Sequence, residues 1–163
     1  MINNSTHVNW DGHAIKLTWF PTDQYPSIEK VTSVHGICFY ENKILLVHIK
    51  DRGFNHPGGH VDQGETPEQA LFREIYEEGY VNGESQYLGF IEVNQEHNPQ
   101  YDPEGKYPRI GYQLFYKVNV TECFPFAREN ESITRIWVEP SEVPFVINDH
   151  KLVNIILKEA LDR

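Results

Sequence analysis

Basic side chains are scarce: 14 Lys and Arg stand against 24 Asp and Glu, a formal charge of −10 over 163 residues. A surface so acidic repels a nucleic-acid backbone, which argues against a DNA- or RNA-coating role. It would equally repel a polyphosphate, unless cations stand between the two. Cysteine is nearly absent. Cys38 and Cys123 lie far apart and match no metal or redox spacing, as expected of two free thiols in a reducing compartment. No stretch nears the ~18 apolar residues of a membrane span. The opening MINNSTHVNW lacks the basic flank and apolar run of a signal peptide. A cytoplasmic protein without membrane association is therefore expected. No repeat, low-complexity tract or linker divides the chain, so residues 1–163 read as a single domain, with residues 1–30 as an N-terminal hairpin extension.

What is present suffices for a core: 39% of residues are hydrophobic and 13% aromatic. Val8 to Trp10 and His13 to Phe20 flank Asp11-Gly12, a tight-turn pair. Val31 to Tyr40 and Lys43 to Lys50 form a second hairpin about Glu41-Asn42, and Asp51 to Gly64 is rich in turn residues. Strands are expected over Gln86 to Glu96, Arg109 to Val120 and Ser132 to Glu139, with a closing helix over Asp149 to Leu161. One central helix is strongly marked. Thr66 caps it, Pro67 suits its first position, Gln69 completes a capping box, and Gly79 is placed to end it in the left-handed conformation. Strands around a central helix, with another helix last, give a mixed α/β domain.

On that helix successive residues turn by about 100°, which gathers Glu74, Glu77 and Glu78 within an arc of about 100°. Leu71, Phe72 and Ile75 form an adjoining apolar stripe that seats the helix on a sheet. Like charges at i, i+4 cost a helix about 0.2–0.5 kcal/mol. Anions near its C-terminal end also oppose the helix dipole. An arrangement so unfavourable to structure suits hard oxygen ligands for Mg²⁺ or Mn²⁺, whose charge removes the repulsion.

The surroundings extend the pattern: Gly59, five residues, Glu65, seven residues, then Arg73-Glu74-Ile75-Tyr76-Glu77-Glu78. The segment from Gly59 to Val81 closely resembles the signature of the Nudix hydrolases, G-x5-E-x7-R-E-U-x-E-E-x-G-U with U aliphatic. Six fixed positions match, a coincidence of roughly 10⁻⁵ to 10⁻⁴ at one register. The box glycine departs from it: the signature places it at Tyr80, whereas this chain has Gly79.

The resemblance implies a Nudix-type α/β/α sandwich with a central mixed β-sheet. It implies a hydrolase that cleaves a diphosphate linkage with Mg²⁺, for which Mn²⁺ can substitute. Glu74, Glu77, Glu78 and the Gly59 carbonyl are the implied metal ligands. Glu65 and Arg73 are the implied structural brace, with Arg73 off the acidic face. Glu78 or Glu77 is the expected general base, and Glu131, in the loop before the last strand with Glu129, an accessory carboxylate. A small-molecule nucleotide is the implied partner, and oligomeric state stays open, a homodimer included.

Arg52 beside the glycine loop, and Arg109 after the Tyr-rich loop, are candidate phosphate contacts. Tyr101 and Tyr107 are candidates to stack on a base. His48, His56 and His60 match no zinc spacing and read as polar loop residues, with His97 a weaker candidate for substrate contact. Trp10 and Trp19 read as packing residues. The compact chain favours a nucleoside triphosphate pyrophosphohydrolase. Hydrolysis of nucleoside-diphosphate sugars or dinucleoside polyphosphates, RNA 5′-end pyrophosphohydrolysis (although no basic track for RNA is visible), and a non-catalytic nucleotide sensor are the alternatives. Retention of all three helix glutamates opposes the sensor.

Overall fold

The computed structural model describes residues 3–163. Nine strands form one sheet: β1 (Ser5–Trp10), β2 (His13–Pro21), β3 (Val31–Tyr40), β4 (Lys43–Ile49), β5 (Gly53–Asn55), β6 (Gly58–His60), β7 (Val81–Asn94), β8 (Ile110–Cys123) and β9 (Ser132–Val138). The main path runs β1-β2-β7-β8-β3-β4-β5, while β6 pairs with β3 and β9 with β4. Only β3 and β8 run parallel; the remaining pairings are antiparallel, so the sheet is mixed.

Alternation along a strand sends its side chains to opposite faces. On β4, Leu45 and Val47 join one core cluster and Ile44 and Leu46 the other. Helix α1 (Pro67–Gly79) seats Leu71 and Ile75 in the first cluster, beside Val34 and Leu114. Helix α3 (Leu152–Asp162) seats Leu152, Ile156 and Ala160 in the second, beside Ile37 and Ile91. The result is the expected α/β/α sandwich. The Thr66–Gln69 capping box forms in both directions, at 2.9 and 3.2 Å.

Both expected hairpin turns form, with φ of 53° and 88° at Asp11 and Gly12, and 51° and 65° at Glu41 and Asn42. The first hairpin is continuous with the central sheet, since β2 pairs with β7 from Lys16↔Asn94 to Pro21↔Gly89. Strands β7 and β8 each reach 14 residues, longer than their apolar alternation suggests, because they pair with each other along almost their whole length. Strands β5 and β6, and helix α2 (Val143–Val146), are only three or four residues long, too short to leave a periodic trace. Among the described residues, no helix is long and apolar enough to cross a membrane.

Candidate active site

The glycine loop lies directly on α1. Strand β6 pairs Gly58 with His35 and Gly59 with Val34 of β3, and the Gly58 N–H donates to Glu78 Oε1 at 2.9 Å. A Cβ at Gly58 would run into the Val34 carbonyl of the backbone, and one at Gly59 would fall 2.5 Å from the Glu74 carboxyl and push that side chain aside, so the loop owes this close approach to its glycines. Across the loop, Arg73 donates to both oxygens of Glu65, at 2.8 and 2.9 Å, and to the His60 carbonyl at 3.0 Å. The Glu65 carboxylate also accepts from the Asp62 N–H at 2.8 Å. Its pKa falls to about 2, first through the Arg73 hydrogen bonds. The expected Glu65–Arg73 pair is thus present. Arg73 does not stay off the acidic face, however, for Nη1 lies 2.8 Å from Glu74 Oε1 and 3.4 Å from Glu77 Oε2. One helical turn separates Arg73 from Glu77, which brings the guanidinium within reach of both faces.

The helix end corrects the expectation for Gly79. That residue is the last helical one, and Tyr80 takes the left-handed position, with φ 55° and ψ 42°. The close approach of Leu45 explains Gly79: a Cβ there would fall 2.5 Å from Leu45 Cδ2. Tyr80 is buried, its ring lies 5.1 Å from Phe126, and its hydroxyl accepts from the Glu129 N–H at 2.9 Å. Strand β9 completes the cap. Ser132 Oγ donates to the Glu78 carbonyl at 2.7 Å, and Arg135 Nη1 to the Gly79 carbonyl at 2.8 Å. A cation there opposes the negative end of the helix dipole.

These contacts also bring the loop carrying Glu131 to the end of α1. The charges of Glu74 and Glu131 push the Glu78 carboxyl up, secondary to its burial, while Arg52 and the Gly58 N–H pull it down; the outcome is about 8. Glu74 is raised too, again mainly by burial. Among the described residues, no three His, Cys, Asp or Glu side chains already enclose a cation-sized point. The donor set nevertheless fits one. Two carboxylates held part-buried among their own charge, against a backbone loop that only glycine can form, offer oxygen ligands whose repulsion a divalent cation relieves. Arg52 is exposed and belongs to no ion pair among the described residues.

Two cavities flank this loop on the α3 side of the sheet. The inner one, about 200 Å³, is lined by His35, His56, Phe115, Asp149 and His150. The outer one, about 510 Å³, is lined by His60, Tyr101 and Tyr107. Tyr101 and Tyr107 therefore lie where a substrate could reach them. Arg109 lines neither cavity; its guanidinium sits 4.4 Å from the centre of the Tyr101 ring and backs that wall. His97 lines neither as well.

His56 departs most from the sequence reading. It is 7% exposed, and neither ring nitrogen has a partner. Burial lowers its pKa to about 4, so the ring is neutral at physiological pH and offers one donor and one acceptor. Its place among turn residues hid this burial. Trp10 is 38% exposed and lines both cavities instead of joining the core; Trp19 is a core residue, as read.

The NUDIX domain family matches residues 29–157. The chain belongs to the Nudix hydrolases. An 8-oxo-dGTP diphosphatase of Haemophilus influenzae is 37% identical over 108 residues, covering 64% of this chain and 70% of that protein. An ADP-ribose pyrophosphatase of Methanocaldococcus jannaschii is 37% identical over 83 residues, covering 48% of this chain and 46% of that protein. Among solved structures, the Bacillus subtilis pyrophosphohydrolase BsRppH superposes with a TM-score of 0.73 over 96% of both chains, at 21% identity, a likeness of fold. The Nudix match begins at residue 29, so strands β1 and β2, with Trp10 at the end of β1, stand outside it.

Proposed function

We propose that this Nudix hydrolase uses Mg²⁺, or Mn²⁺ in its place, to cleave the diphosphate linkage of a nucleoside diphosphate joined to a further group. A nucleoside triphosphate is the simplest such compound. The observation that carries the reading is the clamp of Glu74 and Glu78 against the Gly58–Gly59 loop, tied by Arg73 to Glu65. Glu74, Glu77, Glu78 and the Gly59 carbonyl would hold the cation. When bound, a divalent cation neutralises phosphate charge and lowers the pKa of a water.

The chain's own groups do the rest. Arg52, exposed beside Glu78, receives a phosphate oxygen with its planar fork of donors. Glu77 or Glu78 takes a proton from the attacking water, and Glu131 assists from the opposite loop. The water oxygen bonds to phosphorus as the bridging oxygen leaves on the other phosphate. The inner cavity takes the base, where neutral His56 meets a heterocycle edge with one donor and one acceptor. Similarity to an 8-oxo-dGTP diphosphatase supports a triphosphate substrate.

A panel of canonical and oxidised nucleoside triphosphates, ADP-ribose and nucleoside-diphosphate sugars, assayed with Mg²⁺ or Mn²⁺, tests this. A nucleoside monophosphate and pyrophosphate are expected from a triphosphate. Binding without turnover across the panel would instead establish a nucleotide sensor.

A further inference from the structure

The chain departs from the Nudix signature at the end of α1, where Tyr80 stands in the place of glycine. Its φ of 55° and ψ of 42° lie in the left-handed region, which glycine enters freely and a residue with a side chain does not. A tyrosine kept in an unfavourable conformation is explained by what its side chain touches. Tyr80 is 3% exposed, so that side chain lies inside the fold.

One segment covers the whole helix end. The Tyr80 N–H bonds back to the Ile75 and Tyr76 carbonyls, which leaves the carbonyls of Glu77, Glu78, Gly79 and Tyr80 to find donors outside α1. All four find them between residues 124 and 135. Asn130 Nδ2 donates to Glu77 at 3.3 Å, Ser132 Oγ to Glu78 at 2.7 Å, Arg135 Nη1 to Gly79 at 2.8 Å, and the Phe124 N–H to Tyr80 at 2.8 Å. Two of these carbonyls belong to glutamates that would hold the cation. The same segment carries Glu131, whose charge reaches Glu74 and Glu78.

Residues 124–131 form neither helix nor strand, so individual hydrogen bonds, not a strand ladder, decide where Glu131 sits. Asn130 is tied just before it and Ser132 just after. Tyr80 adds a tie further back: its hydroxyl accepts from the Glu129 N–H at 2.9 Å, and its ring meets Phe126 edge-on at 5.1 Å. Glycine at position 80 would give the helix the same left-handed end without either contact.

We propose that Tyr80 is a positioning residue: through the Glu129 amide it holds the 124–131 loop so that Glu131 faces the acidic side of α1. This rests on the proposed function, in which Glu131 assists the attack on phosphorus. Tyr80 itself meets neither substrate nor cation; it acts through Glu131.

The test is a double-mutant cycle of Glu131→Gln with Tyr80→Phe, which removes the hydroxyl and keeps the ring. The substrate is the compound of the nucleotide panel that wild type hydrolyses fastest with Mg²⁺. Tyr80→Phe should lower kcat about tenfold and leave KM within about twofold. Glu131→Gln should lower kcat about 100-fold. Adding Tyr80→Phe to Glu131→Gln should change kcat by less than about twofold, because the group it positions is gone. Tyr80→Gly, which restores the signature residue, should lose at least as much kcat as Tyr80→Phe. In metal-free protein, the Glu129 amide proton should exchange about tenfold faster in Tyr80→Phe than in wild type. A hydroxyl that only stabilises the fold would lower the melting temperature equally in both backgrounds and leave kcat alone. That result, equal amide exchange, or losses that multiply in the double variant would overturn the positioning role and leave the proposed hydrolysis intact. A wild type that hydrolyses nothing in the panel would refute the hydrolysis itself, and the part of Tyr80 in it, even where amide exchange shows the tie.

Discussion

Glu78 is nine-tenths buried beside neighbours of its own sign, so ionising it works against folding. Its folded pKa, about 8, lies above the ordinary value of 4.5. Below pH 4.5 both folded and unfolded chains hold the proton. As pH rises towards 8 the unfolded chain ionises first, and metal-free protein loses stability across that window. In chelator at pH 8.5, Glu78→Gln should melt roughly 5 °C above wild type, and at pH 4.5 the difference should vanish. Calorimetric melting curves at the two pH values check this. Magnesium should stabilise wild type more than the variant. The sequence placed Glu78 on the acidic face through helical spacing alone, since a turn of about 100° per residue needs no tertiary information. The burial of His56 was not legible, because the residues that line the cavity with it come from β8 and the 149–156 segment, far away in the chain.

Helix α1 is held at both ends by different means. Its start was legible: capping chemistry is local, and Thr66, Pro67 and Gln69 specify it within four residues. Its end was not, because the Leu45 side chain on β4 occupies the space that a Cβ at residue 79 would need. Gly79→Ala gains up to about 1 kcal/mol in helix propensity. The added methyl must, however, displace a fully buried leucine, at a cost of about 1–3 kcal/mol. With the full propensity gain, a net loss of up to about 2 kcal/mol is expected in denaturant unfolding. Leu45→Val should relieve part of it, and a double-mutant cycle showing no coupling would refute the contact. The Arg73 tie belongs to the same scale, joining loop and helix. Arg73→Met should lower kcat/KM by at least about 100-fold, because the Gly59 carbonyl and the glutamates lose their common frame. Far-ultraviolet dichroism should stay unchanged, and activity near wild type would show that the brace is dispensable.

Over the whole molecule, strand and helix periodicity led only to a mixed α/β domain. The three-layer order, and the reading of α1 as the helix that carries the chemistry, came from the resemblance to the Nudix signature. The cavities could not be read this way, since three separate segments build them: the N-terminal hairpin, the 97–109 loop and the approach to α3. Net charge enters at this scale too. With −10 on the chain, an anionic substrate approaches against an unfavourable field. Added divalent cation should lower KM as well as raise kcat, a dependence visible in a metal titration at constant ionic strength.

The central claim is that the acidic face of α1, set against the glycine loop, cleaves a diphosphate bond with a divalent cation. Phosphorus NMR of the products from wild type and Glu77→Gln, in Mg²⁺ and in chelator, tests it most directly. Wild type with Mg²⁺ should yield the two fragments of a broken diphosphate linkage and fall silent in chelator. Glu77→Gln should keep its fold and lose at least about 100-fold in kcat. Near-normal turnover by Glu77→Gln, or full wild-type activity without metal, would contradict the claim.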